Sequence, residues 1–196
     1  MRVLLLLFLA ILPLQAERPP NILFFLVDDL GWADLGCYGA TYHETPNLDR
    51  LASEGIRFTD AYTAASICSP TRASIMTGRH PVRVDITDWI PGMKADGRKL
   101  RTPEDRDHLA LEEVTIAEVL REAGYATFYT GKWHLGGKEF GPDRQGFESY
   151  YDPHRDSSKG SPGRGKTDGR KHATRDLTRE TNAFITKHRE QPWFAY

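Results

Sequence analysis

Residues Ile22 to Val27 are apolar without interruption and run straight into Asp28 and Asp29. A strand with one face in water alternates apolar and polar residues. An unbroken apolar run suits a strand buried on both faces, in the middle of a parallel sheet covered by helices. The two aspartates then fall at the carboxyl end of that strand, where open α/β sheets place their ligands. Adjacent carboxylates are costly unless something positive sits between them. A hard divalent cation with oxygen ligands is one solution, and an acidic capping pair in a loop is the other.

The rest of the chain alternates in the same grammar. Thr45-Pro46 is a cap followed by a proline at the first helical position, Leu48, Leu51 and Ala52 share a face, and Gly55 closes the helix. Ile56 to Thr63 reads as a second extended segment. Thr115 opens the clearest helix: Ile116, Val119, Leu120 and Ala123 have helical spacing, Glu118 completes a capping box, and Gly124 stops it. Tyr125 to Tyr129 is the following strand, with Gly131 to His134 at its end. A helix from about 174 to 188 and a strand from Pro192 to Tyr196 complete the pattern, which predicts an α/β sheet with crossover connections. Two stretches are irregular. One is Pro81 to Leu109, with Trp89-Ile90-Pro91-Gly92 inside it. The other is His154 to Arg175, rich in Gly, Ser, Lys and Arg, which reads either as a solvated insertion or as a basic flap for a polyanionic substrate.

Arg2, the apolar run from Val3 to Leu14 and the small residue Ala16 read as a secretory signal peptide over residues 1–16. The run is short for a membrane span, so stable membrane insertion is not expected, although an uncleaved anchor is the alternative. The expected location is periplasmic or secreted, and residues 17–196 are enough for one core. A formal net charge of −1 gives no field that points to nucleic acid.

Chemistry concentrates in Cys68-Ser69-Pro70-Thr71-Arg72, which continues to Thr77-Gly78-Arg79. Ser69 and Pro70 can cap and start a helix, which puts a lone thiol beside unpaired N–H groups and the positive end of a helix dipole. That is an anion site with a reactive group in it. A thiolate phosphatase needs five residues between its cysteine and arginine, and Ser74 stands where that arginine would fall. In isolation Cys68 also reads as an inert buried cysteine, Arg72 as a surface arginine, and Lys132 and His134 as solvent-facing residues. Lys132 and His134 alternate, so on an extended segment both side chains face one side while Trp133 points into the core.

The ordered motifs resemble the sulfatase family: Asn21 to Gly31 its first strand and acidic pair, Thr45 to Gly55 the next helix, C-x-P-x-R at Cys68 to Arg72, Gly131-Lys132-Trp133-His134-Leu135-Gly136 the second active-site motif, and Gly146-Phe147 a following turn. The resemblance implies an alkaline-phosphatase-like fold with helices on both faces of its sheet. It implies a formylglycine made from Cys68 by a maturation enzyme, and calcium on Asp28, Asp29 and the modified Cys68. Arg72 is implied to hold the hydrated aldehyde, Lys132 to bridge it to the sulfate, and His134 to hold or deprotonate one of its hydroxyls. One hydroxyl attacks sulfur, the alcohol leaves, and loss of a proton from the other expels sulfate. The implied substrates are sulfated small molecules or polysaccharides. A disulfide between Cys37 and Cys68 would remove the reactive thiol, so none is expected, and Cys37 reads as a small buried residue beside Tyr38. Family members continue past this length with more calcium ligands, a second lysine and a histidine. The chain is therefore expected to be an N-terminal part. A phosphate or phosphonate ester hydrolase and a non-catalytic binder of sulfated glycans are the alternatives.

Overall fold

A computed structural model describes residues 18–92, 97, 99–100, 104–152 and 173–196. The expected signal peptide lies outside the described residues, as does most of the basic stretch from His154 to Arg175. Among the described residues the sheet has four strands: β1 (Ile22–Leu23), β2 (Ala126–Thr130), β3 (Ser149–Tyr151) and β4 (Trp193–Ala195), in spatial order β1-β4-β2-β3. Every pairing is parallel, with Ile22 opposite Phe194, Thr127 opposite Phe194, and Tyr129 opposite Tyr150. Among the described residues four α-helices accompany it: α1 (Pro46–Glu54), α2 (Cys68–Thr77), α3 (Ile116–Glu122) and α4 (Ala173–Lys187).

Strand alternation builds a layer on each face of the sheet. Tyr129, Phe194 and Tyr196 point to the side where α2 and α3 contribute Ala73, Met76 and Ala117. Phe128, Trp193 and Ala195 point to the other side, against Phe184 and Ile185 of α4. Tyr129 stacks on Tyr196 at 5.1 Å between ring centroids, and Phe147 meets Phe194 at 5.8 Å. Each such ring contributes on the order of 1.5–3 kcal/mol by leaving water. The expected α/β fold with helices on both faces is therefore present.

The first strand departs from expectation. Regular pairing covers only Ile22–Leu23, extended by one bond from the Phe24 amide to the Ala195 carbonyl at 2.8 Å. β1 sits at the edge of the sheet, with β4 as its one partner among the described strands. Leu23 is 53% exposed and Phe25 74%. Only the start of the apolar run is a regular strand; Ile22 and Leu26 pack on the core and Phe24 stacks on Tyr196, but the described residues leave Leu23 and Phe25 largely uncovered. Ile56 to Thr63 is likewise not a strand. It is exposed and irregular, and it pairs with none of the described strands. Conversely, β3 has no clear periodic pattern and was not expected.

Local signals account for the helices that position the site. α3 has the full capping box: Thr115 Oγ1 accepts from the Glu118 amide at 3.2 Å, and the Thr115 amide donates to Glu118 Oε2 at 2.8 Å. The same Thr115 hydroxyl donates to the buried Gln145 carbonyl at 2.8 Å. Gly146 follows with φ +94, so close to α3 that a Cβ there would lie 2.4 Å from the Glu118 nitrogen. Thr115→Ala removes the cap and leaves a buried carbonyl unpaired. It is expected to cost about 2–4 kcal/mol, read as a lowered urea midpoint with unchanged slope.

α1 begins at Pro46 as expected, but Gly55 ends it in an extended rather than left-handed conformation. Thr45 does not cap it through its own first-turn amides. Its hydroxyl instead bonds Asp49 Oδ1 at 3.0 Å, and Asp49 Oδ1 accepts from the Cys37 amide at 2.7 Å. Cys37 is thus half-buried in a short 3-10 turn rather than fully packed away, and both thiols are free.

Candidate active site

α2 starts at Cys68 itself, two residues earlier than a Ser69 cap would give. Its N-cap is Ile67, extended at φ −138 and ψ 156, without a side-chain cap. Pro70 lies in the first turn, where its missing N–H costs nothing. Cys68 therefore sits at the first helical position, half-buried. Ser69 is fully buried, and its hydroxyl accepts from the Ile90 amide at 3.0 Å instead of capping the helix.

Asp28, Asp29, Cys68 and Arg72 line one hollow of about 220 Å³, between the end of the first strand and the start of α2. Arg72, one turn along the helix, is 5% exposed. Its Nη1 donates to the Lys132 carbonyl at 2.5 Å, and its Nη2 stands 3.6 Å from Asp28 Oδ1. The Lys132 ammonium lies 2.7 Å from Asp28 Oδ2. The bond from that ammonium, with the nearby Arg72 charge, holds the Asp28 carboxyl below its ordinary range despite partial burial. The three charges form one cluster that joins the segments following β1 and β2 to α2.

The segment after β2 is not extended throughout. His134 has a left-handed backbone, φ +58, as does Asp29. Trp133 points into the core as expected and donates its indole N–H to the Phe140 carbonyl at 2.8 Å. His134 Nε2 lies 2.7 Å from the Ile90 carbonyl. It therefore joins the assembly through Ile90 and Ser69, the neighbour of Cys68, rather than by lying parallel to Lys132. Sequence reasoning missed three contributors. Ser69 and Ile90 form the link just described. Tyr129 donates its hydroxyl to the same Lys132 carbonyl that Arg72 uses. Burial pushes the Tyr129 hydroxyl up and that of its stacking partner Tyr196 up to about 12, so both stay protonated. Only the placement of Tyr129 three residues before Lys132 hinted at this.

The donor chemistry fits a hard cation in kind but not in number. Asp28 and Asp29 offer carboxylate oxygens to the same hollow as Cys68. Among the described residues no group of three or more His, Cys, Asp or Glu converges to hold a metal. Calcium takes roughly six to eight oxygens, so these residues are at most part of a shell.

The family model for Sulfatase matches residues 20–196. Human arylsulfatase A is 50% identical over 140 residues, covering 70% of this chain and 26% of its own length. Human N-acetylgalactosamine-6-sulfatase is 43% identical over 138 residues, covering 69% of this chain and 26% of its own. This chain thus spans about a quarter of the length of these curated relatives. The crystal structure of Ps i-CgsB superposes with a TM-score of 0.71 at 28% identity, over 90% of this chain and 44% of that one. A structure solved with its substrate D-glucosamine-2-N,6-O-disulfate superposes with a TM-score of 0.61 at 25% identity, over 90% of this chain and 33% of that one. The phosphonate monoester hydrolase of Agrobacterium radiobacter, at 21% identity and a TM-score of 0.59 over 90% of this chain and 40% of its own, shares the fold. With the family model running from the start of the described sheet to Tyr196, this chain belongs to the sulfatase family.

Proposed function

We propose that this chain carries the nucleophile-bearing part of the catalytic domain of an exported sulfuric ester hydrolase that acts on sulfated carbohydrates. The observation that carries the reading is the convergence of Cys68, Arg72, Asp28 and Asp29 on one hollow, with Lys132 tied to Asp28. Family membership gives that convergence its chemistry. Residues 1–16 direct export to the periplasm or outside, and a formylglycine-generating enzyme is the maturation partner.

The aldehyde made from Cys68 would supply a covalent attachment point for sulfur, and calcium on Asp28 and Asp29 would supply positive charge beside it. The residues of the chain do the rest. Arg72 is held rigidly by the Lys132 carbonyl, so its guanidinium presents a fixed charge to the hollow. Lys132 places a second charge on Asp28, which lines the hollow. A helix dipole adds only about 0.3–1 kcal/mol to a nearby anion, so these fixed charges are the main electrostatic asset of this part of the site. His134 is the proton acceptor. The resemblance implies further ligands, a second lysine and a leaving-group acid in the part of the relatives that this chain does not span. We accordingly assign the 196-residue chain alone little or no turnover.

The reading is tested by mass spectrometry of the peptide that spans Cys68, after co-expression with a maturation enzyme. A loss of about 18 Da at Cys68 is expected for conversion of the thiol to an aldehyde. Unmodified cysteine throughout, in a host that matures other sulfatases, overturns it. Parallel assays with an aryl sulfate and an aryl phosphonate on a protein with the full-length complement distinguish a sulfatase from its phosphonate-cleaving fold neighbours.

A further inference from the structure

The segment that carries Trp89-Ile90-Pro91-Gly92 has no part in the chemistry above, yet two residues of the site region grip its backbone. The Ile90 amide donates to the Ser69 hydroxyl at 3.0 Å, and the Ile90 carbonyl lies 2.7 Å from His134 Nε2. Both contacts are made by one residue, so Ser69 and His134 hold Ile90 from its two polar ends. A carbonyl oxygen only accepts, so Nε2 must carry a proton. In the neutral ring Nδ1 is then the bare lone pair. His134 Nδ1 is buried and has no hydrogen-bond partner among the described residues. The Ile90 carbonyl is thus the one described contact that decides which nitrogen is protonated.

We infer that Ser69 is a positioning residue: by holding the Ile90 amide it aims the Ile90 carbonyl at His134 Nε2 and keeps Nδ1 free to accept a proton. The inference rests on the reading of His134 as the acceptor at the Cys68 site. Ser69 occupies an unspecified position of C-x-P-x-R, so the motif does not require a hydroxyl there. It does not cap the helix either, because the N-cap position of α2 is Ile67 and Ser69 lies inside the first turn. A polar side chain that is fully buried needs a partner, and its described partner is the Ile90 amide. The Ile90 side chain also packs on the core. Loss of the Ser69 bond therefore lets the peptide turn without detaching the segment.

The test is long-range proton–nitrogen NMR on the ¹⁵N-labelled 196-residue chain at about pH 8, where free imidazole is neutral. Wild-type His134 is expected as the Nε2–H tautomer alone, with the Ile90 amide protected from hydrogen exchange. Ser69→Ala is expected to give a mixture of both tautomers and a rapidly exchanging Ile90 amide. Thr77→Ala removes a hydroxyl bonded to the Ala73 carbonyl at the far end of the same helix. It serves as a control for the loss of a hydroxyl from the same helix and is expected to leave His134 unchanged. An Nδ1–H tautomer or an unprotected Ile90 amide in the wild type overturns the inference, even where Ser69→Ala fails to fold. So does an unchanged tautomer in a folded Ser69→Ala chain. Failure of the sulfatase reading would look different: no aldehyde at Cys68 and no ester hydrolysis, with the His134 tautomer as expected.

Discussion

Cys68→Ala is expected to reduce aryl sulfate hydrolysis by at least about 10³-fold in a protein that carries this chain with the full-length complement of its relatives. The size follows from what remains. Arg72, Lys132 and the acidic pair keep their places, so a sulfate ester would still be bound and polarised. Without the group derived from Cys68 there is no covalent route, and water would have to attack sulfur directly. Removing the nucleophile from a preorganised site leaves only the residual rate that binding and fixed charges supply. The loss should fall on kcat, with KM little changed. Stability should be nearly unaffected, because Cys68 is half-buried at the first turn of α2 and alanine is a good helix former. A variant that keeps more than a tenth of the wild-type rate at saturating substrate would remove Cys68 from the chemistry.

The largest stability effect is expected at a residue with no side chain. Gly146→Ala must place a methyl group 2.4 Å from the Glu118 nitrogen and 2.8 Å from the Ala117 carbonyl carbon, on a backbone at φ +94. Both obstacles are main-chain atoms of α3, which cannot swing aside as a flexible side chain would. Backbone strain and overpacking together cost on the order of 3–5 kcal/mol, a large share of the roughly 5–15 kcal/mol that holds a domain together. Relief would push α3 away from the Gln145–Gly146 turn, which breaks the Thr115–Gln145 bond and unsettles Thr127, whose hydroxyl donates to the Gly146 carbonyl at 2.8 Å. Gly39 is the control: its φ is +100, but a Cβ there meets nothing within 4 Å. Gly39→Ala should cost only its conformational strain. Equal shifts in urea midpoint for the two variants would show that contact with α3 is not what fixes Gly146.

Features of the sequence that act within a few residues were legible. Thr115 and Glu118 meet in space because a capping box closes over one helical turn, so the pattern is the structure. Trp133 faces inward because its neighbours are polar and it is not. What could not be read depends on distant contacts. Nothing in Asp28, Arg72 or Lys132 says that one carboxylate meets both cations, since Lys132 and Asp28 are 104 residues apart. Ser69 looked like a cap because serine often is one. Its hydroxyl went to Ile90, 21 residues away, because an extended Ile67 already began the helix. β3 escaped because Ser149-Tyr150-Tyr151 has no alternation and is a strand by virtue of the β2 edge beside it. The burial implied by Ile22 to Val27 was overstated for the described residues, since composition reports what a segment could bury rather than what lies against it.

The place of β4 between β1 and β2 bears on the order of events during synthesis. Trp193 reaches back to Asn21 across 172 residues, and β1 has no other described strand to pair with. At roughly 5–20 residues per second on the ribosome, the first strand is complete for about 10–30 s before its partner exists. β2 and β3 are bridged by Thr127 and Glu148 only 21 residues apart, so they are available to pair long before then. β1, with Asp28 and Asp29 a few residues beyond it, therefore has no described strand to pair with until β4 has been made.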